Sequence, residues 1–438
     1  MTTLLEGAAI KSRPRMPPPN PSAGKGRMRQ APMKVLRVIT RLNIGGPSVH
    51  VSLLTTKLDP QRFSTCLVAG QADETEGDLT AALSKAGARI IRVATLRRPI
   101  HPWNDARAWL SLLRCAWRER PHILHTHMAK AGTLGRLAGL VYNALGPGRK
   151  PDHRAVLIHT FHGHVLDGYF SARQSRIFLA IERWLARRTD SLIAVSGAIR
   201  DDLLKKGIGR PHQWRVIPLG LDLSSLARLS FPKGAMPLRV GMVGRLVPIK
   251  NPRLFLHAFA RAIEHRAQGS LHGAIVGDGP LRSELEREAQ ALGLDGTIRF
   301  TGWQQDLCAV YGHIDVACLT SWNEGTPVSL IEAMAAGRTV IATEVGGVRD
   351  LLEEDAARPS IPPGSFRVAQ RGLLIRAGDA QGLTAALSAV AEDSTLRDQL
   401  GRAARSYAVE RFSPGRLLND MTTLYEAIAI NHQPFDSV

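Results

Sequence analysis

From Lys34 onward, short β-branched or apolar runs alternate with stretches in which apolar residues recur every three or four positions. KVLRVIT, FSTCLVA, ARIIRVA, HILHTH, AVLIHTF, DSLIAVS and WRVIPL predict strands, and SVHVSLLTTKL, WNDARAWLSLLRCAW, LGRLAGLVYNAL and SRIFLAIERWLARR predict the helices between them. Strands that are apolar throughout and alternate with helices belong to a parallel sheet covered on both faces, a doubly wound α/β domain. The turn-rich SFPKGAMP interrupts the pattern, which then restarts with strands LRVGMV, GAIVG, IRFTG, VACLT, TVIAT and GLLIRA. Helices are expected in PRLFLHAFARAIEH, LRSELEREAQAL, PVSLIEAMAA and AQGLTAALSAVAE. The expected organisation is a tail over 1–32, one domain over 33–229, a connector over 230–237, a second domain over 238–412 and a closing segment over 413–438. In that last segment PGRLLNDMTTLYEAIAI suits either a helix crossing back to the first domain or a plain surface helix. Two such sheets facing each other make a cleft at their strand carboxyl ends, where ligands of open α/β sheets bind.

With 438 residues, 44% hydrophobic and 22% charged, the chain can bury two cores, which excludes a mini-protein, a coiled coil or a disordered chain. The longest membrane-like run, Ala129 to Leu145, is broken by Lys130 and Arg136, and the first residues carry Glu6 where a secretory leader would be apolar. A soluble, cytoplasmic chain is expected. Four scattered cysteines without a C-x-x-C pair read as buried thiols. The tail is rich in proline and basic residues and has almost nothing to bury, so disorder is expected there; a start at Met28 or Met33 is the alternative reading.

The net charge of +19 calls for an anionic partner: nucleic acid, a lipid surface or a phosphorylated substrate. Between Arg89 and Arg154 there are 13 basic residues against three acids, accompanied by Trp103, Trp109 and Trp117. That combination suggests peripheral docking on anionic lipid at the inner face of the plasma membrane. Aromatic residues make up only 5% and no helix-turn-helix, zinc-finger or RNA-recognition signature occurs, which weighs against nucleic acid.

The densest chemistry lies in the second domain. In GRLVPIKNP a strand ends at Gly244, Arg245 and Lys250 follow, and Asn251-Pro252 reads as a helix cap and first position. Two cations beside a helix N-terminus suit a diphosphate. In WNEGTPVSLIEAMAAG, Thr326 is expected to cap and Pro327 to begin a helix, with Glu324 in the preceding loop and Glu332 on the helix. Glu324 would accept hydrogen bonds from sugar hydroxyls, and Glu332 would reach a ribose or another polyol.

Glu324 and Glu332, with seven residues between them, together with G-R-L-x-x-x-K, resemble the donor-site motifs of retaining glycosyltransferases of family 4, with the GT-B fold, and in particular members acting in exopolysaccharide and lipid-linked glycan assembly. The resemblance runs from about Val35 to Leu424 and is most specific between Gly302 and Asp350. It implies catalytic roles for His162 (in TFHGH), Arg245, Lys250 and Glu324. Donor-binding roles are implied for Gly46 (in RLNIGGPSVHV), Gly244, Gly277 and Gly279 (in VGDGP), Gly325, Thr326, Pro327 and Glu332. On the acceptor side it implies His127, Lys130 and Gly132 (in HTHMAKAG). The substrate would be a nucleotide-diphospho-sugar, UDP- or GDP-linked, and the acceptor a glycan or a polyprenyl-linked saccharide. No cofactor is expected. No Asp-x-Asp triplet occurs, so Arg245 and Lys250 would replace the usual metal on the diphosphate. The five histidines at 125, 127, 159, 162 and 164 lack a carboxylate at ligand spacing, which argues against a metal there. VGDGP lacks the third glycine of a dinucleotide fingerprint. The rival readings are a sugar-nucleotide 2-epimerase, which needs no sugar acceptor, and, more remotely, a nucleic-acid-binding protein.

Overall fold

The computed structural model describes residues 31–432 apart from 44, 73–76, 164–171, 233–235, 265, 268 and 354–358. The tail up to residue 30 and His164 therefore lie outside the described residues. The first sheet is built from β1 (Met33–Ile39), β2 (Phe63–Ala69), β3 (Ile90–Arg92), β4 (Ile123–His127), β5 (Val156–Phe161), β6 (Ser191–Ala194) and β7 (Trp214–Val216). Its order is β3-β2-β1-β4-β5-β6-β7, and every pairing is parallel. Helices α1 (Gly46–Lys57), α2 (Thr80–Lys85), α3 (Pro102–Glu119), α4 (Ala129–Leu145), α5 (Ala172–Ala186), α6 (Gly197–Lys205) and α7 (Ser224–Ala227) follow the strands.

The second sheet contains β8 (Leu238–Val243), β9 (Leu271–Val276), β10 (Ile298–Gly302), β11 (Val316–Leu319), β12 (Thr339–Thr343), β13 (Phe366–Ala369) and β14 (Gly372–Ile375), in the order β10-β9-β8-β11-β12-β14-β13. It is parallel except for β13, an edge strand antiparallel to β14 that the sequence pattern did not reveal. Around it lie α8 (Pro252–Glu264), α9 (Arg282–Ala291), α10 (Leu307–Gly312), α11 (Val328–Ala335), α12 (Val348–Leu352), α13 (Ala380–Glu392) and α14 (Ser394–Arg411). Strands β4, β5, β11 and β12 are buried end to end and β1 from Val35 onward, as both-sided coverage requires.

After α14 the chain returns to the first sheet. Leu221 N donates to Phe412 O at 2.8 Å, and Arg416 Nη2 donates to Pro218 O and Leu219 O at 2.8 and 2.6 Å. Gly220 leaves room for Leu417, whose side chain would meet a Cβ there at 2.7 Å. Helix α15 (Pro414–His432) then buries Leu417, Met421 and Tyr425 against Val35, Leu54, Ile123 and Ile158.

Two sequence expectations about the first domain change. Of the three tryptophans expected on a lipid-facing surface only Trp103 is largely exposed, at 77%; Trp109 and Trp117 pack against the core made by α3, α4 and β1. The basic run is also partly neutralised: Arg89, Arg92, Lys130, Arg136 and Arg154 pair with Glu119, Asp78, Asp105, Glu182 and Asp190. Three of those acids come from outside the run, where counting along the chain could not see them.

Candidate active site

The carboxyl ends of both sheets meet across one cleft, and glycines allow the approach. At Gly163 a Cβ would lie 3.3 Å from Gly325 Cα, and at Gly325 it would lie 2.3 Å from His162 O. The loops after β5 and after β11 therefore touch backbone to backbone. A Cβ on Gly46, at the start of α1, would reach Val328 Cγ2 at 2.8 Å, so α1 and α11 nearly touch as well. Gly346 and Gly347 wrap the Glu324–Gly325 peptides, with Gly347 N donating to Gly325 O at 2.9 Å. Asp350 ties the two domains by accepting from Ala198 N at 2.8 Å. The twin glycines between β12 and α12 were not singled out in the sequence, although adjacent glycines between a strand and a helix are a usable signal.

On the second domain, Gly244 ends β8 with nothing within 4 Å of its Cβ direction, whereas Gly277 and Gly279 admit Gly244 O and Leu246 O at 2.0 and 2.4 Å. The first thus leaves the cleft open, and the other two let neighbouring loops pack against each other. Arg245 is exposed and Lys250 half-buried. Lys250 Nζ lies 2.5 Å from Glu324 Oε1, which also accepts from Ser321 Oγ at 2.5 Å. The two residues expected to act separately on diphosphate and sugar thus form one ion pair, joined through the adjacent ends of β8 and β11.

Thr326 does not cap α11: Pro327 occupies the cap position, with no side-chain hydrogen bond to the helix. The Thr326 hydroxyl is buried without a partner among the described residues. Thr326 lines a cavity of about 40 Å³ between the domains with Ser196, Gly347 and Asp350, large enough for a water.

Glu332 lies further into α11. Tyr311 Oη is 2.9 Å from both Glu332 Oε2 and Ser329 O. A phenol has one proton and cannot donate fully to both. A protonated Glu332 resolves the conflict by donating to Tyr311, which then donates to Ser329. Burial pushes the Glu332 carboxyl up to about 7, with the Tyr311 hydrogen bond opposing. Because the folded form holds this proton more tightly than the unfolded chain, its contribution to stability is complete below the ordinary carboxylate pKa and is lost as pH rises through about 7. Glu332→Gln should remove that component, so wild-type Tm should fall relative to the variant between about pH 5 and 8, measured by calorimetry. Parallel curves would refute this protonation.

Four imidazoles converge under the first-domain loop. His125 and His127, two apart on β4, share a face with ring centroids 4.2 Å apart, and His127 Nδ1 lies 3.1 Å from His162 Nε2. His50, on α1, brings its ring to 5.1 Å from His162 and 5.9 Å from His127. His50 is not legible in the sequence, since a single histidine in a helix carries no local signal. Burial drives His50, His125 and His127 well below the ordinary imidazole value and His162 down to about 3, so all four are neutral at pH 7. Between His127 and His162 one ring must donate and the other accept, which leaves one N–H and one lone pair on their outer nitrogens, both buried without partners among the described residues. Deeper in, His125 bonds Tyr425 Oη and Thr160 Oγ1, each at 2.7 Å, and Arg37 Nη2 reaches Tyr425 Oη at 3.5 Å. Among the described residues no group of three His, Cys, Asp or Glu is arranged to hold a metal ion.

Two residues expected on the acceptor side have close partners within the first domain. Lys130 pairs with Asp105 Oδ1 at 2.6 Å and donates to Pro99 O, so it braces α4 against the start of α3. Gly132 packs against the His159 ring, whose Cε1 would lie 2.3 Å from a Cβ; its smallness serves that contact.

Two facing, largely parallel α/β sheets, with a cation–carboxylate pair at one lip and neutral imidazoles at the other, define a glycosyltransferase of the GT-B fold. The chain belongs to family 4: residues 45–220 match the "Glycosyl transferase 4-like domain" and residues 237–393 the "Glycosyl transferases group 1" domain. It is 26% identical over 394 residues to the UDP-Gal:alpha-D-GlcNAc-diphosphoundecaprenol alpha-1,3-galactosyltransferase of Escherichia coli, covering 87% of this chain and 94% of that one. With the D-inositol 3-phosphate glycosyltransferase of Saccharomonospora viridis it shares 28% identity over 332 residues, 70% of each chain. The fold is also that of Anabaena HepE, solved in complex with UDP and glucose, with a TM-score of 0.70 at 20% identity over 90% of this chain and 100% of that one.

Proposed function

We propose that this chain moves a hexosyl or N-acetylhexosaminyl group from a UDP- or GDP-linked sugar to a hydroxyl of a polyprenyl-linked glycan, with retention and without a metal, in the assembly of cell-surface polysaccharide. The observation that carries the reading is the backbone contact of the His162–Gly163 turn with the Glu324–Gly325 turn, which unites the Lys250–Glu324 pair and the imidazole cluster in one cleft. The name of the Escherichia coli relative specifies a UDP-sugar and a diphosphoundecaprenol-linked acceptor, and the HepE complex holds UDP and glucose. Both favour this class of donor, and the first favours this class of acceptor.

In the proposed reaction the bond from the anomeric carbon to the diphosphate oxygen breaks and its electron pair leaves with the diphosphate. The acceptor oxygen bonds to the same face of the sugar, and its proton passes to the departing phosphate oxygen. Negative charge growing on the diphosphate is met by Arg245 and Lys250, and an oxocarbenium-like sugar is steadied by nearby oxygens. Glu324, held by Lys250 and Ser321, orients sugar hydroxyls. His162, neutral and oriented by His127, offers a hydrogen bond and no charge to the sugar.

The experiment is a thermal-shift comparison of UDP, GDP and ADP, followed by NMR of the glycosidic product. One nucleotide should raise Tm well above the others, nucleotide release should require acceptor, and an α-linked donor should give an α-linked product. Nucleotide release without acceptor would refute the transferase step, and a β-linkage would refute retention.

A further inference from the structure

Helix α5 presents an apolar stripe outward. Ile177, Ile181 and Trp184 are 59%, 37% and 45% exposed, and spacings of four and three place them on one line along the helix. The opposite side anchors the helix: Leu185 and Ala186 are fully buried, and Glu182 is drawn inward to pair with Arg136 of α4. The stripe is therefore outward by construction.

Its surroundings carry one sign of charge. All five arginines between Arg173 and Arg188 are exposed, and no acidic side chain of the helix is. At 3.6 residues per turn, Arg173 and Arg188 terminate the stripe and Arg176, Arg183 and Arg187 run along one flank. Arg188 stacks on the Trp184 ring at 4.2 Å, which keeps a cation at the edge of the apolar surface. Helices α3, α4 and α5 lie side by side, and their N-termini are at the strand carboxyl edge that forms the cleft.

We infer that the outer face of α5 is the surface by which the protein docks on an anionic lipid bilayer. Ile177 and Ile181 would enter the headgroup boundary, Trp184 would sit at the interface, and the arginine flank would meet lipid phosphates. This locates the membrane contact outside the Arg89–Arg154 run, five of whose thirteen cations are held in ion pairs within the protein. It rests on the lipid-linked acceptor for its purpose: a helix lying on the bilayer beside the cleft would bring the acceptor's diphosphate within reach of the sugar.

The test is co-sedimentation of the full chain with phosphatidylcholine vesicles and with vesicles of about one-third phosphatidylglycerol, at low and high salt. Binding to the anionic vesicles alone, weakened by salt, is expected. Ile177→Ser/Ile181→Ser/Trp184→Ser should reduce it by about tenfold or more, and so should Arg176→Glu/Arg187→Glu, which leaves the stripe intact. Both variants should keep wild-type Tm and transfer to a short, water-soluble acceptor. Wild-type binding by either variant would overturn the inference. So would failure of the wild type to bind anionic vesicles, or a stripe whose removal only converts a dimer to a monomer. Since the readout needs neither donor nor acceptor, its failure is separable from failure of the transferase reading.

Discussion

Lys250→Ala should lower kcat by about 10²-fold or more at saturating donor if, as proposed, its charge meets the diphosphate as it departs. A second effect follows from the pair with Glu324. Its side chains are 24% and 10% exposed, and without Lys250 the carboxylate keeps only the Ser321 hydroxyl among these contacts. Stability should therefore drop by about 1–3 kcal/mol, the cost of a partly buried charge losing its partner. Arg245→Ala, at an exposed position, should lose turnover with little change in Tm. Combining Lys250→Ala with Glu324→Gln should cost far less than the product of the single losses, since the two residues act as a unit. Steady-state rates and thermal melts of the four proteins decide this. A folded Lys250→Ala enzyme with normal kcat would remove the lysine from the chemistry.

Gly325→Ala should separate closure from donor binding. The added methyl would lie 2.3 Å from His162 O and 3.2 Å from Gly163 Cα, and neither backbone atom can rotate away. The two turns must then part at this point, while the buried cluster that the domains share elsewhere, through residues such as Val195, Leu219, Leu330 and Val348, stays in place. Tm and the nucleotide-induced shift should stay close to wild type, whereas kcat should fall by about 10²-fold for a displacement of about 1 Å. Gly347→Ala gives the contrast. Its methyl would meet Gly325 O at 2.1 Å inside the second domain and disturb the hydrogen bond that shapes the Glu324 loop. Both the nucleotide shift and turnover should fail there. If Gly325→Ala turned over normally, contact between these two turns would be irrelevant to the reaction.

The alternation of strand and helix, and with it the fold class, was legible because periodicity is local and a doubly covered strand must be apolar along its length. The departures have local causes too. β13 is four residues long, follows a proline-containing turn and pairs antiparallel at an edge, so it leaves no crossover pattern to read. Thr326 has the chemistry of a cap, yet Pro327 takes the position because its backbone is already extended there.

By itself the sequence determined where the candidate residues for a diphosphate and a sugar sit along the elements: Arg245, Lys250, Glu324 and Glu332 are arranged by short spacing, and spacing fixes which end of a strand or helix a side chain occupies. Only the tertiary structure decided what each charge faces. Lys250 meets a carboxylate 74 residues away, and Lys130 is taken by Asp105. His125 meets Tyr425 from a helix 300 residues later, and Trp109 and Trp117 of the basic run turn into the core while α5 exposes Trp184. The reason is physical: backbone periodicity is set by neighbours along the chain, whereas the pairing and burial of a charge depend on what the fold brings within a few ångströms of it.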